Sequence, residues 1–223
     1  MKKIHLITQM GLICLSLFAA GSGYGQGYYS WYRSSERLPK WSLELKKGDF
    51  EPQEQQFKDF FRGGETDNSA FALGYKILRT VEAGLEYGSM KGSGSTALSI
   101  NTTTDNDLTY RLQPTHLYVL LRGIWGEDQI GVPYIGAGIT RSSYELEFDS
   151  GDPAISGKVD GSNSRYGLQI LLDSADPSAA AELDQETGIN NIYLYIEKQS
   201  FDADVDGVDL GGDTVFIGLL FEF

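Results

Sequence analysis

The sequence predicts an all-β protein, an eight-stranded antiparallel up-and-down transmembrane β-barrel with one short periplasmic helix. Three observations carry that expectation. The chain opens on a segment with the order of an export signal, and it closes on an alternating strand ending in phenylalanine. Between them lies an even number of alternating segments separated by turn chemistry.

The first element is the leader. Lys2 and Lys3 precede a mostly apolar stretch from Ile4 to Ala20, and small residues follow at Gly21, Ser22, Gly23 and Gly25. Charge, apolar core and small-residue exit in that order read as a secretory signal peptide over residues 1–25. A membrane anchor fits less well, because the stretch is short and broken by His5, Thr8, Gln9 and Ser16. Cys14 lies mid-core behind bulky Ile13, which argues against a lipoprotein. Removal of the leader takes away the single cysteine, so the mature chain has no disulfide. Without Lys2 and Lys3, the 18 basic residues fall to 16 against 31 acidic ones, a formal charge of −15. That balance argues against nucleic acid as a partner, since phosphate binding needs a basic patch. The length suits one domain. No later run approaches the roughly 18 apolar residues of a membrane-spanning helix, so a mature chain that enters a membrane must do so as a closed barrel.

Residues 26–40 form an N-terminal periplasmic segment in which Tyr28, Tyr29, Trp31 and Tyr32 are placed to anchor at the membrane interface. The barrel domain then runs over 41–223, with strands expected near 41–50, 67–77, 79–90, 109–122, 132–147, 163–172, 191–201 and 213–223. Both termini fall on the periplasmic side. Residues 51–66, 91–108, 148–162 and 202–212 become outer loops rich in Gly, Ser, Asp and Thr, while 77–79 and 123–131 become short periplasmic turns. The third periplasmic connection, 173–188, reads as a helix with Asp176 as N-cap, Pro177 at the first helical position and Gly188 as its stop. Ala179, Ala180 and Leu183 give it a thin apolar stripe, suited to a cap on the barrel mouth or to a periplasmic partner.

The last strand is the clearest. Val215, Ile217, Leu219, Phe221 and Phe223 share one parity and are all apolar; Thr214, Phe216, Gly218, Leu220 and Glu222 occupy the other. Gly218-x-x-Phe221-x-Phe223 resembles the C-terminal assembly signal of bacterial outer-membrane barrels, with one departure, Phe216 at a position that is usually polar. Further segments carry the same resemblance: Trp41-Ser-Leu-Glu-Leu-Lys-Lys-Gly48, Pro133-Tyr-Ile-Gly-Ala-Gly-Ile139, and Leu183-Asp-Gln-Glu-Thr-Gly-Ile-Asn-Asn-Ile-Tyr-Leu194. The chain is similar to small bacterial outer-membrane β-barrel proteins of the OmpA type. The resemblance implies a fold, a place in the outer membrane, contact with its lipid and lipopolysaccharide, and insertion by the barrel-assembly machinery through the C-terminal strand. It transfers no catalytic residue and no extracellular partner.

An eight-stranded barrel has an interior that side chains can fill. Parity sends Glu44, Lys46, Glu82, Glu86, His116, Arg122, Arg165, Gln169, Glu197 and Glu222 inward. Buried charges must pair, so a salt-bridged plug is expected; a narrow channel or carrier for small solutes is the alternative. His116 is the single histidine of the mature chain, and no nucleophile elbow accompanies it, so a non-enzymatic structural or surface-interaction role is expected.

Two loops hold further candidates. Asp202, Asp204 and Asp206, then Gly207, Asp209 and Asp213, follow much of the spacing of a Ca²⁺ loop. Asp213 stands where the bidentate Glu belongs, Asp209 where an apolar residue is usual, and an acidic solvated hairpin tip is the other reading. Phe57, Phe60 and Phe61 in the first outer loop either fold onto the rim or present an aromatic contact surface.

Overall fold

A computed structural model describes residues 39–53, 66–95, 107–126, 129–148, 153–205 and 208–223. The expected leader, the aromatic segment at Tyr28–Tyr32, the phenylalanines at 57, 60 and 61, and Asp206 lie outside the described residues. Eight long strands close a barrel: β1 (Trp41–Pro52), β2 (Asp67–Leu78), β3 (Val81–Ser95), β4 (Asp107–Arg122), β5 (Gly131–Phe148), β6 (Ile155–Leu171), β7 (Asn191–Phe201) and β10 (Gly212–Glu222). The two-residue strands β8 (Asp204–Val205) and β9 (Val208–Asp209) pair only with each other. Helix α1 (Pro177–Thr187) joins β6 to β7.

Every neighbouring pair of barrel strands is antiparallel, and β10 closes the ring by pairing with β1 from Ser42↔Glu222 to Pro52↔Gly212. Closure leaves no edge with unpaired N–H and C=O groups, which is what a strand protein needs in hydrocarbon. The alternation is clean. In β10 the residues Thr214, Phe216, Gly218, Leu220 and Glu222 are buried in the lumen, while Val215, Ile217 and Leu219 are exposed.

Outward apolar residues do not cover the whole wall. They form a belt at the end that carries the C-terminus, including Leu45, Leu73, Leu85, Val119, Ile139 and Ile217. Trp41, Tyr75, Trp125 and Phe223 mark its lower margin; Phe71, Tyr87 and Tyr166 mark the upper one. Aromatic girdles of this kind flank the lipid-facing band of membrane barrels. Beyond the upper girdle the outward positions turn polar, and cross-strand ion pairs replace apolar contacts: Lys47–Asp67 at 3.1 Å, Arg141–Asp160 at 2.6 Å and Lys198–Asp213 at 2.7 Å. The strand wall therefore continues well past the apolar belt.

That extension revises the expected boundaries. β3 runs on to Ser95, β4 begins at Asp107, and β6 begins at Ile155, eight residues before the expected start at 163. Lys158, Asp160 and Ser162 face water and Gly157 and Gly161 face in, so no hydrophobic alternation marks the segment. It is strand because its backbone pairs with β5, from Leu146↔Ile155 onward.

Helix α1 is held by its ends. The Asp176 carboxylate accepts from the Ser178 and Ala179 amides at 3.2 and 3.1 Å, and Gly188 takes the left-handed conformation at φ 76° that ends the helix. Asp173 accepts from the Ile192 amide at 3.0 Å and Asn190 donates to Asp184 at 2.7 Å, tying both flanks to the barrel. No residue of the helix is buried; Ala180 and Leu183 are half-buried and Ala179 is exposed.

Candidate functional site

The feature with most chemistry is the lumen, filled in three layers along the barrel axis. The layer nearest the C-terminus centres on Arg122. Its guanidinium lies 2.6 Å from Glu222 and 3.4 Å from Glu82, and it donates to Gln169. Lys76 pairs with Glu222, Asn191 donates to the same carboxylate at 2.7 Å, and Ser42 donates to Glu82 at 2.7 Å.

The middle layer is a four-membered charge cluster. Lys46 Nζ sits 2.7 Å from Glu86 and 2.6 Å from Glu197, and Arg165 lies 2.5 Å from Glu86 and 4.0 Å from Glu197. Gln199 donates to Glu86 at 3.0 Å, Tyr134 to Glu197 at 2.9 Å, and Tyr195 to Glu44 at 3.3 Å. The cations also rest on rings, Lys46 over Phe216 at 4.4 Å and Arg165 over Tyr118 at 4.1 Å. All these side chains are buried, so each charge depends on its neighbours for the solvation that water would supply.

Tyrosines fill space in the lumen by lying across glycines of the adjacent strand. A Cβ at Gly84 would run into the Tyr118 ring, one at Gly167 into Tyr134, one at Gly157 into Tyr144, and one at Gly218 into Tyr195. Each glycine thus makes the notch that lets a large ring lie flat against the wall of a narrow barrel.

The third layer is apolar. Phe50, Met90, Tyr110, Leu112, Val159 and Phe201 pack together toward the outer end, with Ala203 and Leu210 of the last outer loop buried against them. Phe201 stacks on Phe50 at 5.8 Å between centroids and meets His116 edge-on at 5.6 Å.

All ten inward residues expected from parity are buried in the lumen; ion pairs bring seven of them, with Lys76, into the two charged layers, and Gln169 joins by its hydrogen bond from Arg122. His116 lies between the middle and apolar layers, with Nδ1 2.7 Å from the Thr140 hydroxyl and Nε2 3.8 Å from Glu86. The remaining residue, Glu44, takes its hydrogen bond from Tyr195. Lys76 was the missing cation of the first layer. It keeps the inward parity of Asn68, Ala70, Ala72 and Gly74, just before the register shift between Lys76 and Leu78.

The acidic loop folds differently from a solvated tip. Residues 202–205 and 208–211 lie over the outer mouth, with Ala203 and Leu210 buried in the apolar layer. The Asp209 carboxylate accepts from the backbone amides of Ala203 and Gly211 at 3.0 and 2.8 Å. Asp202 accepts from Ser162 at 3.0 Å, while Asp213 faces the outer wall, 2.6 Å from the Ser200 hydroxyl and 2.7 Å from Lys198. Asp204 is exposed at the start of β8. Among the described residues no group of three metal-ligating side chains converges.

No family model matches the sequence, and no curated protein matches it. The fold does have solved counterparts. OprG, an outer-membrane protein of Pseudomonas aeruginosa, superposes with a TM-score of 0.57 over 83% of this chain and 96% of its own, at 10% identity. This chain has the fold of a small outer-membrane β-barrel. Neisserial surface protein A superposes with a TM-score of 0.54 over 82% of this chain and 97% of its own, also at 10% identity. Coverage this complete at such low identity means that the strand count and the closure are shared.

Proposed function

We propose that the chain is a non-enzymatic integral protein of the Gram-negative outer membrane, with a structural or surface-interaction role and a lumen closed to solutes. The single observation that carries this reading is the continuous filling of the lumen, two buried ion-pair layers beneath an apolar layer. A solute passing through would have to separate Arg122 from Glu222 and Lys46 from Glu86 and Glu197, each step exposing buried charge without a partner. The leader at 1–25 would export the chain. The barrel-assembly machinery would engage β10, and the apolar belt would sit in lipid, with lipopolysaccharide on the outer side.

Planar-bilayer recording tests the closed lumen. The refolded mature barrel is expected to insert without a steady conductance, and a sustained open state in the picosiemens-to-nanosiemens range contradicts the reading and favours the narrow channel.

In the same reading, the 202–213 loop is a roof stapled by Asp209. Asp209→Ala removes the acceptor of two backbone amides and is expected to cost about 1–3 kcal/mol, seen as faster protease cleavage within residues 202–211. Calorimetric titration with Ca²⁺ separates this from a cation loop. No heat is expected from the wild-type barrel; saturable heat that Asp204→Ala abolishes would restore the Ca²⁺ assignment.

A further inference from the structure

The closed ring of strands ends before its longest members do. β10 pairs with β7 as far out as Gly212↔Phe201, and β6 pairs with β7 no further out than Asn163↔Phe201. β3, β4, β5 and β6 go on, paired with one another to Ser95↔Asp107, Leu108↔Phe148 and Leu146↔Ile155. A four-stranded sheet thus stands beyond the ring, and the outer half of β6 is one of its edges.

The last outer loop creates that edge. The Asp202 amide still donates to the Ser162 carbonyl at 3.0 Å, in the lane of β7. At Ala203 the chain leaves the lane for the apolar layer. Strand hydrogen bonds alternate sides, so the N–H and C=O groups of Ser156, Lys158 and Asp160 point the same way as those of Ser162. Among the described residues no strand pairs with them on that side. Such a row is a template for pairing with another chain. Ile155 supplies an independent observation. It has inward parity and stands opposite Leu146, which packs on the apolar layer. Val159 on the same face is buried in the cluster that holds Ala203 and Leu210, whereas Ile155 is 53% exposed. No other large apolar side chain among the described residues is exposed so far beyond the upper girdle.

We infer that the outer half of β6 binds an extended segment of another protein by strand addition, one with apolar residues at alternate positions and polar residues between. Its backbone would take the groups of Ser156, Lys158 and Asp160. Its apolar side chains would cover Ile155 on the inner face, and its polar ones would lie beside Ser156 and Lys158 on the outer. Ile155–Gly161 spans about 20 Å, room for roughly six residues. The vacated lane is antiparallel to β6, which a free segment can fill. A second barrel in the same membrane would bring its own β6 up parallel, in the less stable pairing. The inference rests on the surface-interaction role proposed above and names the kind of partner.

The test uses the full mature barrel refolded in detergent. The probe is a labelled synthetic peptide of about eight residues alternating valine and threonine, and its affinity is read by fluorescence anisotropy. Lys158→Pro removes one edge N–H, and proline is compatible with an edge whose N–H faces solvent. It is expected to weaken binding on the order of ten-fold or more, and Ile155→Ser by about three-fold. A peptide N-methylated on the residues facing the edge should bind wild type no better than the unmodified peptide binds Lys158→Pro. Amide exchange should slow on binding at Ser156, Lys158 and Asp160 and stay unchanged at Gly157, Val159 and Gly161, whose amides face β5. Absent binding, or equal binding by wild type and Lys158→Pro with both keeping heat-modifiable mobility, overturns the edge site and leaves the membrane barrel standing. Self-association of wild type that Lys158→Pro abolishes and the peptide does not compete would overturn a foreign segment in favour of a second copy. Loss of heat-modifiable mobility in wild type would strike the outer-membrane reading, and this inference with it.

Discussion

Glu86→Ala is expected to destabilise the barrel by about 3–5 kcal/mol, the usual cost of removing one partner from a buried ion pair. Glu86 is the hub of the middle layer, holding Lys46 at 2.7 Å, Arg165 at 2.5 Å and Gln199 at 3.0 Å. Its loss leaves two buried cations sharing Glu197, to which Arg165 reaches only at 4.0 Å. Arg165→Met added to Glu86→Ala should recover part of the loss, because the uncompensated charge leaves with the guanidinium. Urea unfolding of the refolded barrel in detergent or vesicles measures both. Equal stability of Glu86→Ala and wild type would mean that the middle layer is not an interdependent cluster.

Phe201→Ala is expected to cost a similar amount, about 3–5 kcal/mol, for a different reason. The ring fills the centre of the apolar layer between Phe50, His116 and the roof residues Ala203 and Leu210. Truncation leaves a cavity that the strands, hydrogen-bonded on both sides, cannot close. The two charged layers below remain, so the variant is expected to stay non-conducting while its unfolding midpoint falls. A Phe201→Ala barrel that conducts would mean that the apolar layer alone closes the lumen.

Much of this was legible because a strand writes its two faces in alternate residues. Parity placed Glu44, Lys46, Arg122, Arg165 and Glu197 in the lumen, since each lies in a strand flanked by apolar outward residues. Phe216, a departure from the assembly signal, is explained by its place under the Lys46 ammonium. Three features were not legible, each for a physical reason. The tyrosine–glycine notches depend on which residues face each other across strands, and one strand's pattern does not contain that register. The first half of β6 looks like a loop, because its outward residues Lys158, Asp160 and Ser162 are polar. The segments 202–205 and 208–211 bury only isolated residues such as Ala203 and Leu210, too few to produce a period, and the backbone bonds of Asp209 leave no mark in the sequence.

The proposed function puts the apolar belt near the termini in the outer membrane, with the upper wall and loops outside the cell. Residues 26–223 hold no cysteine, so single-cysteine variants there are clean reporters of that arrangement. Asp49→Cys lies on the polar upper wall, Val119→Cys within the belt, and Ala180→Cys on α1 at the opposite mouth. A membrane-impermeant maleimide applied to intact cells should label position 49, spare position 119, and reach position 180 only after the outer membrane is permeabilised. Labelling of position 119 as readily as 49, or of position 180 in intact cells, would contradict it.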